Sequence, residues 1–118
     1  MRALILAALL AAAATSAQAA DDAIGDANRA DVRCVLGMGV MSRNEQYKSW
    51  GALGIFFFAG RIEGRSPGFD LEDAIKREVR LMAPSEYNDE IRRCSDLLGE
   101  RSRAFEAMKR QTPRGVGN

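Results

Sequence analysis

The stretch WGALGIFFFAG, residues 50–60, is the segment around which the rest of this chain is predicted to pack. It contains the single tryptophan and three of the five phenylalanines, and it carries no charge. A helix needs about 20 apolar residues to cross a bilayer, and this stretch is much shorter and closely flanked by charged residues. We therefore predict a packed helix here and no membrane span.

Seen as a helix, this stretch is apolar on nearly every side. One side combines Tyr47, Trp50, Gly54, Phe57, Phe58 and Ile62, and the opposite side combines Leu53, Phe56 and Gly60. If both sides are buried, the helix is the central element of the core. Gly51, Gly54 and Gly60 would then allow neighbouring backbones to approach, because each lacks a side chain.

The same stretch permits a second interpretation, in which one side remains at the surface. Leu53 and Phe56 would then be exposed. Together with Trp50 and Phe57, they would form the surface for a partner or ligand. Such an apolar surface is typical of a site for a protein partner, a second copy of the chain or an apolar ligand. The sequence leaves both interpretations open.

Two helices are predicted on the N-terminal side of a clear break in the chain. Apolar residues recur at three-and-four spacing over residues 26–41, which predicts helix one. Ser42 and Glu45 match a capping box, in which each side chain satisfies a backbone amide, so helix two is expected to begin there. It should end at Gly64, where the run GRSPG, residues 64–68, breaks the pattern.

Two further helices are predicted after the break, and no strand alternation appears. Asp70 is suited to cap helix three, Pro84 to end it and Ser85 to cap helix four. The predicted buried stripes are Leu71, Ile75, Val79 and Met82 on helix three, and Tyr87, Ile91, Cys94, Leu98, Phe105 and Met108 on helix four. Helix four should give way to a tail after about residue 111.

The first nineteen residues match a secretory signal peptide. Arg2 provides a positive start, residues 3–14 an apolar region, and Ala17-Gln18-Ala19 a small-x-small cleavage site. We predict cleavage after Ala19, which leaves residues 20–118 as a single helical domain with an ordered core of about 26–111. The protein would then work in the periplasm or outside the cell.

Cys34 and Cys94 are the only cysteines in the chain. In an exported protein a lone pair is predicted to form a disulfide. A redox-active pair is disfavoured, because such cysteines are usually close together in sequence. The predicted fold is therefore all-α: a small four-helix domain stapled by one disulfide between helices one and four, preceded by a cleaved signal peptide.

The charge pattern and the absence of known motifs argue against several classes of function. Without Arg2, 16 basic residues balance 16 acidic ones, so neither nucleic acid nor an anionic membrane is an expected partner. The chain has no histidine, which excludes a histidine base and histidine metal ligands. It also has no phosphate-binding loop, metal-spaced cysteine cluster or nucleophile motif. We therefore expect no enzymatic activity, no cofactor and no metal.

Arg61 falls by helical phase among the aromatic residues of helix two. A charge in that position is expected to form a structural ion pair. The carboxylates nearest to it in sequence are those of Glu63, Asp70 and Asp73. A contact with a bound anion or carboxylate, made by Arg61 and Arg65, is the alternative.

The layout of the chain resembles that of the small exported HdeA-type proteins, which are periplasmic acid-stress chaperones. Cys34, the aromatic helix over residues 50–62 and Cys94 occupy places comparable to the cysteine-bearing and aromatic helices of that family. The resemblance implies a dimer that dissociates in acid and exposes apolar surface to unfolding clients. In this chain, the stretch from Leu53 to Phe58 would be the client or dimer surface.

Together these observations predict an exported, non-enzymatic helical protein that binds other proteins, as a stress chaperone or an immunity-type inhibitor. The alternative is a carrier that encloses a small apolar ligand in a helical core lined by Trp50, Phe57 and Phe58. A third hypothesis is a cell-envelope enzyme. A closed pocket between helices two and four would favour the carrier, whereas an exposed strip at Leu53 and Phe56 would favour protein binding.

Overall fold

The computed structural model describes residues 2–111, with side chains from residue 18 onward. Four α-helices make up most of this range: α1 (Arg2–Met41), α2 (Lys48–Arg65), α3 (Leu71–Leu81) and α4 (Glu86–Gln111). No strand occurs among these residues, and a disulfide joins Cys34 on α1 to Cys94 on α4. The predicted all-α, four-helix fold with one disulfide is therefore confirmed.

α1 is the helix on which the others assemble. It packs most extensively against α2 and also against α3 and α4, whereas α2 and α4 touch over a short length. A Cβ on Gly51 would lie 2.6 Å from the Ser42 nitrogen and 2.7 Å from the Met38 oxygen, and a Cβ on Gly54 would overlap the Met38 side chain. These two glycines let the backbones approach, as predicted. Gly60 has open space around it and plays no such part.

The core consists of two adjoining clusters. The first surrounds the disulfide where α2 and α4 meet α1, and the second lies where α2 and α3 meet α1. Their buried members are Cys34, Val35, Met38, Phe58 and Cys94 in the first, and Val32, Ile62 and Ala74 in the second. Ile75 packs against both clusters. Because α1 contributes to each of them, it connects the whole core.

The prediction that the first helix starts at residue 26 is wrong, because α1 begins at Arg2. Residues 3–20 are mostly alanine and leucine, which are the best helix formers, so nothing in this segment interrupts the helix. The predicted leader and helix one thus share one helix. Cleavage after Ala19 stays a prediction, and the predicted tail beyond residue 111 lies outside the described residues.

The predicted capping box at the start of α2 is wrong. The Ser42 hydroxyl donates to the Gly39 carbonyl at 2.8 Å, so it belongs to the last turn of α1. Residues 42–47 form turns, and α2 begins at Lys48 without a side-chain cap. Glu45 pairs with Lys48 at 3.4 Å instead of reaching back to a backbone amide.

Of the two N-caps predicted for α3 and α4, the first is correct and the second is wrong. The Asp70 carboxylate accepts a hydrogen bond from the Asp73 backbone N–H at 2.9 Å, as predicted. Ser85 does not cap α4. The Glu86 carboxylate accepts from the Ala83 backbone N–H, three residues earlier and outside α4, at 2.6 Å.

Two predicted buried stripes are partly wrong. Val79 is 51% exposed, because α3 turns Ala74 and Glu78 toward α1 instead. Phe105 and Met108 are 68% and 55% exposed, because the buried part of α4 ends before them. The prediction that these two segments are helices is thus correct. Which side of each helix faces the core depends on contacts between helices.

Candidate functional site

The most exposed apolar part of α2 lies on the side that faces away from α1. Leu53 and Phe56 are 51% and 78% exposed there, and Gly60 follows one turn later. We call these three residues the outer face of α2. Trp50 and Phe57 lie half-buried at its border. The helix therefore has one side buried and the other at the surface, which corresponds to the second interpretation of its sequence.

The outer face is open because α1 covers only one side of α2. The buried residues of α2 are Gly51, Gly54, Phe58 and Ile62. A Cβ on Gly60 would meet nothing within 4 Å, so nothing in the described part of the chain requires a glycine there, although glycine costs about 1 kcal/mol in a helix. The outer face is thus an apolar surface that the fold itself does not use.

Arg61 supports the aromatic rings next to the outer face. Its guanidinium carbon lies 5.6 Å from the centre of the Phe57 ring and 5.8 Å from that of Phe58, within the range of cation–π attraction. The two rings make an edge-to-face contact, with their centroids 5.0 Å apart. Burial, followed by the charges of Arg101 and Arg93, lowers the pKa of Arg61 from its ordinary value. Because Phe58 is fully buried, its contacts with Phe57 and Arg61 hold the Phe57 ring in place beside the outer face.

A buried carboxylate on α1 pairs with Arg61 and Arg65. Arg61 Nε lies 3.2 Å from Asp31 Oδ2, and Arg65 Nη2 donates to the same oxygen. Asn28, which is also buried, accepts from Arg65 Nη1 at 2.8 Å and donates to Ser66 Oγ at 2.9 Å. These bonds make the two arginines part of the contact between α1 and α2, so they do not form an open anion site.

The predicted partners of Arg61 are wrong. Within the described residues, Arg61 pairs with none of the three candidates, Glu63, Asp70 and Asp73. Asp31 was missed because it lies on another helix and far away in sequence. The sequence did carry a signal, since Asn28 and Asp31 are polar residues at helical spacing beside the apolar stripe of helix one.

A second buried carboxylate, that of Glu78, holds α3 against α1. Its oxygens accept from Arg29 Nε at 2.6 Å and from Arg33 Nε at 2.8 Å. Arg33 also lies 3.6 Å from Glu86 and 3.8 Å from Glu90 on α4. Burial favours a higher pKa for Glu78, but the hydrogen bonds and charges of Arg29 and Arg33 outweigh it and hold this pKa below its ordinary value. Sequence analysis missed this cluster, because its members are distant in sequence.

Glu78→Gln is expected to lower the free energy of unfolding at pH 7 by about 1–2 kcal/mol, because charge-assisted hydrogen bonds are lost. Since the folded-state pKa of Glu78 lies below its ordinary value of 4.5, the stabilisation is fully present above that value. It is lost as the pH falls through the folded-state pKa. Urea unfolding from pH 7 to pH 2 should therefore show the two proteins converging in acid.

The matched control is Glu72→Gln, which removes an exposed pair with Lys76 on the same helix. Exposed pairs contribute little to stability, so this variant should unfold like the wild-type protein at every pH. If Glu78→Gln kept the same deficit from pH 7 to pH 2, ionisation of Glu78 would not be what stabilises α3.

Glu90 lies close to the disulfide. One ligand atom from each of Cys34, Glu90 and Cys94 lies within 4.8 Å of the others, and Arg93 Nη2 donates to Cys34 Sγ at 3.2 Å. Cysteine binds metals as a thiolate, and both sulfurs here are joined in the disulfide. In the oxidised protein this group is therefore a structural crosslink.

Two cavities lie along α1. One of about 440 Å³ is bounded by α1 and α3, and one of about 390 Å³, open to solvent, is bounded by α1 and α4. Trp50, Phe57 and Phe58 line neither of them. The predicted carrier pocket between the second and fourth helices thus receives no support from these cavities.

Comparison with known proteins does not indicate a function for this chain. The chain matches no protein-family model, no curated protein and no solved structure. The resemblance to HdeA-type chaperones therefore stays a prediction. Among the described residues, no helix has the length and apolar character needed to span a membrane.

Proposed function

We propose that this protein is exported, has no enzymatic activity, and binds exposed apolar segments of unfolded proteins through the outer face of α2. The observation that supports this most directly is the exposure of Leu53 and Phe56 on a helix whose other side is buried. Exposed apolar patches on soluble domains commonly mark sites of protein binding. Binding of this kind needs no reacting group, which suits a chain without histidine.

Leu53 and Phe56 are suited to anchor a bound segment. Fully burying a leucine or phenylalanine side chain contributes about 1.5–3 kcal/mol. A stable interface buries about 1,200–2,000 Å² in total, which is more than two side chains provide, so the segment must also cover Trp50 and Phe57. The Phe57 ring is already held by Arg61, and ordering it on binding therefore costs little.

The spacing of the outer face indicates the kind of segment that fits it. Ser49, Leu53, Phe56 and Gly60 follow one another at the four-three-four spacing of a seam between paired helices. An apolar helix, or a segment able to become one, can lie along this seam. No residue within 49–60 is charged, so the surface does not select a partner by charge. This favours many apolar clients over the single dedicated partner of an immunity-type inhibitor.

Export is part of the proposal. The leader-like features of residues 1–19 are typical of secreted proteins. The disulfide between Cys34 and Cys94 supports the same location, because disulfides persist in the periplasm and outside the cell. A binding surface made of apolar groups works in such a compartment without a cofactor.

Replacing Leu53 and Phe56 together with glutamine is expected to weaken client binding about a hundredfold. The reason is that the two side chains together contribute about 3 kcal/mol when fully buried, and about 1.4 kcal/mol corresponds to a tenfold change in Kd. The measurement is light scattering by citrate synthase that was unfolded in guanidinium chloride, which aggregates on dilution into buffer without a reductant, so that the Cys34–Cys94 disulfide stays intact. Wild-type protein should suppress the scattering, and the L53Q/F56Q variant should have little effect at the same concentration.

Phe105→Gln is the matched control, because Phe105 is 68% exposed on α4 and outside the outer face of α2. It should suppress scattering like the wild-type protein. Thermal unfolding should change little in either variant, because exposed side chains are replaced. The proposal fails if the wild-type protein leaves the scattering unchanged or if Phe105→Gln is as defective as L53Q/F56Q. Self-association that only L53Q/F56Q abolishes would identify a second copy as the occupant.

A further inference from the structure

We propose that the cavity between α1 and α3 binds a small amphipathic carboxylate. Its apolar chain would lie inside the cavity and its carboxylate would contact two arginines at the mouth. This site lies on different helices from the outer face of α2. It does not depend on the function proposed above.

The cavity has the size and lining of a ligand site. Its volume is about 440 Å³, and ligand pockets usually have volumes of about 300–1,000 Å³. Val32 and Ala74, both buried, line it, and Phe69 and Leu81 add apolar surface. Leu81 is 58% exposed, so a bound apolar chain would remove apolar surface from water. The interior therefore favours an alkyl chain or a ring.

Two arginines supply positive charge at the mouth of the cavity. Arg29 and Arg77 both line it, and each side chain is 54% exposed. Arg29 pairs with Glu78 through Nε, which leaves its two terminal NH₂ groups to donate. Arg77 Nη1 lies 3.4 Å from Asp73 in an exposed pair, and such pairs are weak and easily exchanged. A carboxylate accepts guanidinium donors in strong, often bidentate, hydrogen bonds.

Glu78 also lines the cavity, and its oxygens are engaged by Arg29 and Arg33. Two arginines and one carboxylate line the cavity, so the net charge of its lining is positive. The cavity therefore combines a positive mouth with an apolar interior, which complements a fatty-acid-like carboxylate. The more open cavity between α1 and α4 lacks this combination, because Ala30 is the single apolar residue of its lining.

Gly25 offers a direct test, because it lines the cavity and a Cβ there would meet no atom within 4 Å. Gly25→Phe should place a ring in part of the cavity without displacing the backbone. The matched control is Gly39→Phe, since Gly39 is on the same helix, also has open space at its Cβ, and does not line the cavity. Each change replaces a helical glycine with a better helix former, so neither should unfold the protein.

The probe is decanoate, titrated into the oxidised protein and followed by ¹H–¹⁵N NMR. Wild-type protein and Gly39→Phe should show saturable shifts centred on Val32, Ala74 and Leu81. Gly25→Phe should bind decanoate at least about tenfold more weakly. Arg77→Gln should also weaken decanoate binding by about tenfold but leave decan-1-ol binding unchanged, because the alcohol carries no charge.

Several results would overturn the proposal. These are the absence of saturable shifts, shifts centred on the outer face of α2, and equal losses in Gly25→Phe and Gly39→Phe. An equal loss of decanoate and decan-1-ol binding in Arg77→Gln would show that Arg77 does not hold the carboxylate. The L53Q/F56Q variant should bind decanoate like the wild-type protein, which keeps this test separate from that of client binding.

Discussion

Replacing Cys34 and Cys94 together with alanine is expected to lower the free energy of unfolding by about 4 kcal/mol. The disulfide joins residues with a sequence separation of 60, and a crosslink closing such a loop removes a large part of the unfolded chain's conformational freedom. The bond also ties α4 to α1, its main neighbour. For a domain of this size, the loss corresponds to a fall of about 20 °C in Tm.

The measurement is urea unfolding of the double variant beside oxidised and reduced wild-type protein. Alanine is suitable because both cysteines are fully buried, and a small apolar side chain leaves no unpaired polar group there. The reduced wild-type protein is the control, since it loses the crosslink but keeps both sulfurs. It should unfold near the same urea concentration as the variant. A double variant within about 1 kcal/mol of the oxidised protein would contradict this stabilising role.

Gly51→Ala is expected to lower the free energy of unfolding by about 2 kcal/mol. The added methyl would lie 2.6 Å from the Ser42 nitrogen and 2.7 Å from the Met38 oxygen, and neither backbone atom can rotate away. α1 and α2 must therefore separate locally. Overpacking costs about 1–3 kcal/mol, and a clash with backbone atoms belongs at the upper end of this range, so about 2 kcal/mol remains after the gain of about 1 kcal/mol in helix propensity.

Gly60→Ala is the matched control on the same helix and should have the opposite sign. A Cβ there has open space, so only the propensity gain applies, and stability should rise by up to about 1 kcal/mol. Differential scanning calorimetry of the two variants measures both effects. If Gly51→Ala also raised Tm, the close approach of α2 to α1 would be contradicted.

The helical class and the disulfide could be predicted because their signals are local or unique. Apolar residues at helical spacing identify a helix whatever it packs against. Asp70 caps α3 through an amide three residues away, and two cysteines allow a single pairing. The Ser42 prediction failed although its signal was also local, because the hydroxyl donates to a carbonyl in the last turn of α1 and not to the start of α2.

The buried ion pairs could not be predicted, because they depend on which helix faces meet. The spacing of apolar residues predicts that Val79 faces the core. In the structure Glu78 is the buried residue of α3, because two arginines of α1 donate to its two oxygens. Arg61 likewise finds Asp31 across the contact between α1 and α2. Both pairs need three-dimensional information that local pattern does not contain.

The exposure of the outer face of α2 could not be predicted either, for the same reason. Its sequence is apolar on both sides, and whether Leu53 and Phe56 are covered depends on where the other helices lie. α1 covers one side, and α4 touches α2 over a short length only. The candidate site thus consists of residues that sequence analysis named, while their availability is a property of the fold.

Binding of clients at the outer face of α2 is tested most directly by site-specific photocrosslinking. Phe56 is replaced by p-benzoylphenylalanine in one variant and Phe105 in another, so that the aromatic character of each site is kept. Both variants are irradiated with citrate synthase while it is diluted from guanidinium chloride into buffer without a reductant, and the adducts are identified by mass spectrometry. We predict covalent adducts with citrate synthase from position 56 and few or none from position 105. Equal yields from the two positions, or no adduct from position 56, would contradict the assignment of client binding to α2.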